Sequence, residues 1–91
     1  MLKIDIQTEE MRTVFVLEGT LAGAWVKVLQ DCWEEIATAE RRVRVMVYGV
    51  TFIDEKGKAL LMKMHHGGAE LVAEGCMNKA IVEEITQGGG Q

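Results

Sequence analysis

The stretch Val43–Met64, VRVMVYGVTFIDEKGKALLMKM, reads as strand, turn and helix. Its first part, Val43 to Tyr48, is rich in β-branched residues, which favour extended backbone. A turn opens at Gly49 and closes on Asp54 and Glu55, residue types that suit a helix N-cap and first turn. The helix then presents Ala59, Leu60, Leu61 and Met64. At such a strand-to-helix turn, unpaired backbone N–H groups and the positive end of the helix dipole face outward, so recognition or reaction collects there.

Working towards the N-terminus, Leu2, Ile4 and Ile6 alternate with Lys3, Asp5 and Gln7, the period of an edge strand with one buried face. Thr13 to Leu17 forms a second strand, close enough to be the hairpin partner of the first, and Gly19 and Thr20 end it. From about Ala22 to Ala39, the residues Trp25, Val28, Leu29, Cys32, Trp33 and Ile36 fall at helical spacing, opposite Lys27, Gln30, Asp31, Glu34 and Glu35. That pattern predicts a helix with both tryptophans facing the core.

Towards the C-terminus, the central helix ends near His65, Gly67 and Gly68, and a short strand follows over Glu70 to Ala73. A last helix begins around Asn78 and turns Ile81, Val82 and Ile85 inward, leaving Glu83 and Glu84 to water. The order β-β-α-β-α-β-α predicts a small, mostly parallel four-stranded α/β sheet with an antiparallel first strand. Stepwise crossovers in one direction place all three helices on one sheet face. Val43, Val45 and Val47 then point to the helices, and Arg44, Met46 and Tyr48 to the open face, where they form a candidate contact surface.

The 91 residues suffice for one core, predicted over residues 1–87, with Gly88 to Gln91 as a flexible glycine tail. A composition 48% apolar and 26% charged is that of a globular chain. The net charge of −4 excludes a phosphate-tracking nucleic-acid surface, since Arg41, Arg42 and Arg44 sit among acids. No apolar run is long enough to span a bilayer, and MLKIDIQ alternates where a signal segment would be continuously apolar, so the cytoplasm is the expected compartment. Cys32 and Cys76 lack the spacing of a metal or redox pair.

Nor do the remaining polar residues assemble a reactive set. Asp54 has no base, nucleophile or metal partner near it in sequence and reads as an N-cap. His65 and His66 diverge by about 100° on a helix, unlike ligands at i and i+4. Gly67 and Gly68 lack the spacing and the lysine of a phosphate loop. The chain is therefore expected to be non-enzymatic, without metal or cofactor.

Leu17-Glu18-Gly19, followed by a long amphipathic helix and then VRVMVYGVTFIDEKGKALL, resembles the STAS domain of sulphate transporters and anti-sigma factor antagonists, over roughly residues 2 to 86. In that family the central turn commonly runs apolar, Asp, Ser or Thr, Ser, Gly; here it is Phe52-Ile53-Asp54-Glu55-Lys56-Gly57. The resemblance implies a bacterial regulatory module that binds an anti-sigma factor, a kinase or a transporter subunit through Asp54, Glu55, Lys56, Gly57 and Lys58. It departs at the switch: Glu55 holds the phosphoacceptor position and Lys56 the small residue after it, which implies constitutive binding. Family acidic positions fall on Met46 and Ala22. Glu55 reads either as an imitation of a phosphorylated state or as a first-turn residue that complements the helix dipole. A further strand and helix of the family are missing, which implies a shortened member with an open sheet edge and a route to homodimers. The alternative function is a small-molecule module, sensing or carrying a nucleotide or lipid, or an accessory subunit of ABC lipid transport.

Overall fold

A computed structural model describes residues 1–37 and 42–88. The chain runs β1 (Leu2–Thr8), β2 (Arg12–Leu21), α1 (Ala24–Ala37), β3 (Arg42–Ile53), α2 (Glu55–His66), β4 (Glu70–Ala73) and α3 (Cys76–Glu83), and Glu84–Gly88 continues α3 as a π-helical segment. The sheet order is β1-β2-β3-β4. β1 pairs antiparallel with β2, while β2, β3 and β4 are parallel. This is the small mixed α/β sheet that the alternation of patterns predicts. Arg41 and the glycines beyond Gly88 lie outside the described residues.

The helices cover one face. Register aligns Phe15 with Val45 and Leu17 with Val47, and these continue to Leu71 and Ala73 on β4. That face packs with Val26 and Leu29 of α1, Leu60, Leu61 and Met64 of α2, and Ile85 after α3 in one apolar cluster. The opposite face carries Val14, Val16, Arg44, Met46, Glu70 and Val72, and no described helix lies on it. Arg44 and Met46 are partly buried there and Tyr48 is exposed.

The central strand does not turn at Gly49 but runs on to Ile53. Register with β2 slips between Leu17 and Glu18 and again between Gly19 and Thr20, leaving Tyr48 and Thr51 as the extra residues of two bulges. Core positions accordingly shift from Val43, Val45, Val47 to Val50, and the period-2 signal disappears where the strand continues. β2 likewise extends through Gly19 and Thr20 to Leu21. Gly19 has φ 100°, and a Cβ there would sit 2.2 Å from the Met1 carbonyl oxygen, whose partner is the Thr20 N–H at 2.8 Å. Only glycine takes that backbone so close to the first residue.

In α1 the buried line is Val26 and Leu29, with Cys32, Trp33 and Ile36 partly buried against the core. Trp25 and Val28, expected inward, are 38% and 42% exposed. The apolar arc of this helix is wider than the strip the sheet can cover, and packing selects the Val26 edge over the Trp25 edge. α2 stops at a Schellman arrangement: Gly68 N–H donates to His65 O at 3.0 Å and Ala69 N–H to Met64 O at 2.9 Å. Ala69 and Met64 are both buried beside it.

Candidate functional site

The turn between β3 and α2 is organised by Asp54. Its backbone is extended (φ −85°, ψ −179°), as an N-cap requires. Oδ1 accepts from Gly57 N–H at 2.7 Å, and Oδ2 accepts from Gly23 N–H at 3.0 Å in the loop that starts α1. Asp54 N–H donates to Leu21 O at 3.2 Å. One carboxylate therefore ties the first turn of α2 to the end of β2 and the start of α1. The bond from Gly57, then that from Gly23, and more weakly the charge of Lys56, hold its carboxyl below the ordinary value of 3.8, against an opposing desolvation.

Gly57 makes the close approach of α2 to β2. It is buried, and a Cβ there would lie 2.5 Å from the Leu21 carbonyl oxygen and 3.0 Å from Leu21 Cγ. Glu55 and Lys56, between the two fixed residues, are exposed. Glu55 sits in the first helical turn, where a carboxylate complements the dipole. Lys58 is part-buried, and its Nζ pairs with Glu84 Oε1 on the π-helical segment. Of the five turn residues singled out from sequence, Asp54 and Gly57 are thus structural, Lys58 is engaged within the chain, and Glu55 with Lys56 forms the outward edge. Arg44, Met46 and Tyr48 belong to the other sheet face, a separate surface.

Beside the turn, α1 and α2 enclose a groove of about 410 Å³. Val26 and Leu60 form its buried floor, and Lys27, Lys56 and Lys63 stand on its rim with Gln30. Lys27 reaches Asp31 at 3.5 Å and Lys63 reaches Glu34 at 3.9 Å, both in the open. The lysine rim was not legible beforehand, because its members come from two helices whose relative placement only packing fixes.

The sequence pattern put the start of the last helix at Asn78 without giving that side chain a bonding role, and α3 begins two residues earlier, at Cys76. Asn78 is 5% exposed, and its Nδ2 donates to Val50 O at 3.0 Å, Glu74 O at 3.2 Å and Val47 O at 3.3 Å. It fastens the start of α3 to the bulged end of β3. His65 and His66 have ring centroids 5.9 Å apart at an interplanar angle of 62°, an edge contact at the helix end. Among the described residues, no group of three or more His, Cys, Asp or Glu side chains is placed to hold a metal ion. Among them, too, no helix is long and apolar enough to cross a membrane.

No family model matches the chain, and no curated relative matches it. In three dimensions it is similar to a solved structure described as "Crystal Structure Analysis of Mglu", with a TM-score of 0.61 and 20% sequence identity over 78% of this chain. The match spans 19% of that much longer chain. Likeness at this level defines the class of fold, a small mixed α/β sheet covered by helices on one face. It carries no activity or partner across.

Proposed function

We infer that the chain is a STAS-like, non-enzymatic interaction module of the cytoplasm that binds a protein partner through the start of α2. The observation that carries this reading is the Asp54 carboxylate, both of whose oxygens are engaged by backbone N–H groups. A carboxylate so engaged fixes a shape, and its lowered pKa makes it a weaker base. Between Asp54 and Gly57 it displays a charged, exposed pair, Glu55 and Lys56, on a rigid helix start. Glu55 has no hydroxyl to accept a phosphoryl group, so binding to an anti-sigma kinase or a transporter subunit is constitutive. Incubating the chain with a cognate anti-sigma kinase and ATP, followed by mass spectrometry, should leave residues 54–57 unmodified while the complex persists. Stoichiometric phosphate in that segment overturns the reading.

The groove between α1 and α2 supports a second reading, a carrier or sensor of an anionic small molecule with an apolar part, such as a nucleotide or a lipid. Its volume falls in the range of small-molecule sites, with an apolar floor and a few convergent charges. A thermal-shift screen with nucleotides and fatty acids separates the two readings, because a ligand held by the native state raises the midpoint by mass action. β4, four residues long, forms one sheet edge. Self-association through this edge or the open face is the homodimeric version of the module. Met46→Lys should lower the mass seen by light scattering if the face is used, and an unchanged mass excludes the face-to-face form.

A further inference from the structure

At the opposite end of the parallel strands from the Asp54 turn, basic side chains converge on the open face. Register sets Arg12 of β2 beside Arg42 of β3, and Arg44 of β3 beside Glu70 of β4. Like charges directly opposite each other across strands repel. In a chain of net charge −4 this juxtaposition is not the by-product of a generally basic surface.

Two of the three guanidinium groups are steered by carboxylates. Arg12 Nε donates to Glu9 Oε1 at 2.8 Å, and Arg44 Nε donates to Glu70 Oε1 at 2.9 Å. Arg44 thereby uses one of the five N–H donors a guanidinium carries. Arg42 is exposed, and its side chain has no partner among the described residues. With Val43, Gly68 and Glu70, the three arginines line a cavity of about 400 Å³. Three guanidinium groups thus face a single lining carboxylate, and that carboxylate is already paired.

We propose that this cavity binds a small oxyanion carrying two or more negative charges, a phosphate ester or a di- or tricarboxylate. Arg42 and the remaining donors of Arg44 take its oxygens in the paired geometry that planar guanidinium groups favour, and Arg12 adds charge. Glu70 orients Arg44 and repels an anion lying against it, so the ligand sits on the Arg42 side. An anion held only by the native chain also raises its stability by mass action. The basic residues surround one cavity and do not form a track, and beyond them the face becomes apolar at Val16, Met46 and Val72, which suits a compact ligand and not a polymer.

The test is a titration of the chain with pyrophosphate and, separately, with citrate at constant ionic strength, read by amide chemical shifts, with sodium chloride as the matched control. At least one of the two should give saturable shifts at Arg12, Arg42, Arg44 and Gly68, and the one that does tells phosphate from carboxylate. Arg42→Gln, folded by the criterion of unchanged shifts elsewhere, should bind roughly tenfold more weakly, as expected for loss of a charged hydrogen-bonding group. Lys79→Gln, exposed on α3 and lining neither cavity, should bind like wild type. Shifts that do not saturate, that chloride reproduces, that survive unchanged in Arg42→Gln, or that appear only around Lys27, Lys56 and Lys63 overturn the proposal.

Discussion

Replacing Gly57 with alanine sets two effects of opposite sign against each other. In an exposed helix the change should stabilise by about 1 kcal/mol, since glycine is the poorest helix former after proline. Here the new Cβ would lie 2.5 Å from Leu21 O, 3.0 Å from Leu21 Cγ and 3.1 Å from Ile53 Cγ2, all inside the ~3.5–4.0 Å of a comfortable carbon contact. The nearest atom is a backbone carbonyl oxygen, which cannot rotate away. It also accepts the Asp54 N–H at 3.2 Å, so displacing it loosens the junction that the Asp54 carboxylate fixes. Overpacking of this kind costs about 1–3 kcal/mol and a weakened buried hydrogen bond about 1 kcal/mol more. After subtracting the helical gain, a net loss of about 1–3 kcal/mol is expected, or a fall of roughly 4–24 °C in Tm for a domain of this size. Urea unfolding at equilibrium measures it, with an unchanged m-value as the sign that the unfolded state is unaltered. Ala59→Gly, on the exposed side of the same helix, serves as the control and should lose only the propensity difference, about 1 kcal/mol. A Gly57→Ala variant as stable as wild type would refute the close approach of α2 to β2 and, with it, the rigidity claimed for the turn.

The other predictions concern the same framework. Asn78→Ala should cost about 1–3 kcal/mol by denaturant titration, because the carbonyls of Val47, Val50 and Glu74 lose a buried donor. Asn78→Asp, which turns a carboxylate on those carbonyls, should be less stable at neutral pH than in mild acid. Leu29→Ala should cost about 2–5 kcal/mol, whereas Val28→Ala, one residue away but exposed, should stay within about 0.5 kcal/mol; equal losses would mean that α1 is rotated from the orientation described. Because its folded pKa is depressed, Asp54 contributes stability in full above the ordinary carboxyl value of 3.8, and the contribution disappears as pH falls through the lower folded value. Acid titration of Tm should therefore be steeper below pH 3.8 for wild type than for Asp54→Asn.

The fold was legible wherever a periodic pattern survived. Alternation in Leu2, Ile4 and Ile6 and in Val43, Val45 and Val47 placed two strands and assigned their faces, and the Asp54 cap and the glycines after His66 bounded α2. The second half of β3 was hidden because its bulges at Tyr48 and Thr51 break the period-2 signal, so a continuing strand looked like a turn. The error in α1 has a different origin: Trp25, Val28 and Val26 are all apolar, and which of them meets the sheet depends on how the helix is set down. The site was legible only in its local part. The Asp54–Gly57 cap spans three residues and shows in sequence, whereas the Asp54–Gly23 bond spans 31. Asn78 bonds only to backbone carbonyls, which every residue possesses, and the Arg12–Arg42 pair needs the strand register.

The central claim is that the exposed edge at Glu55 and Lys56, held by Asp54, is where a protein partner docks. Mapping amide chemical shifts on addition of a cognate anti-sigma kinase tests it most directly, comparing the chain with its Lys56→Glu variant. The account predicts that perturbations concentrate on Glu55, Lys56 and the exposed Ala59 of the same helix, that they are the same with and without ATP, and that Lys56→Glu weakens them while the fold is retained. Perturbations confined to Arg44, Met46 and Tyr48 on the open face, with the start of α2 silent, would contradict it.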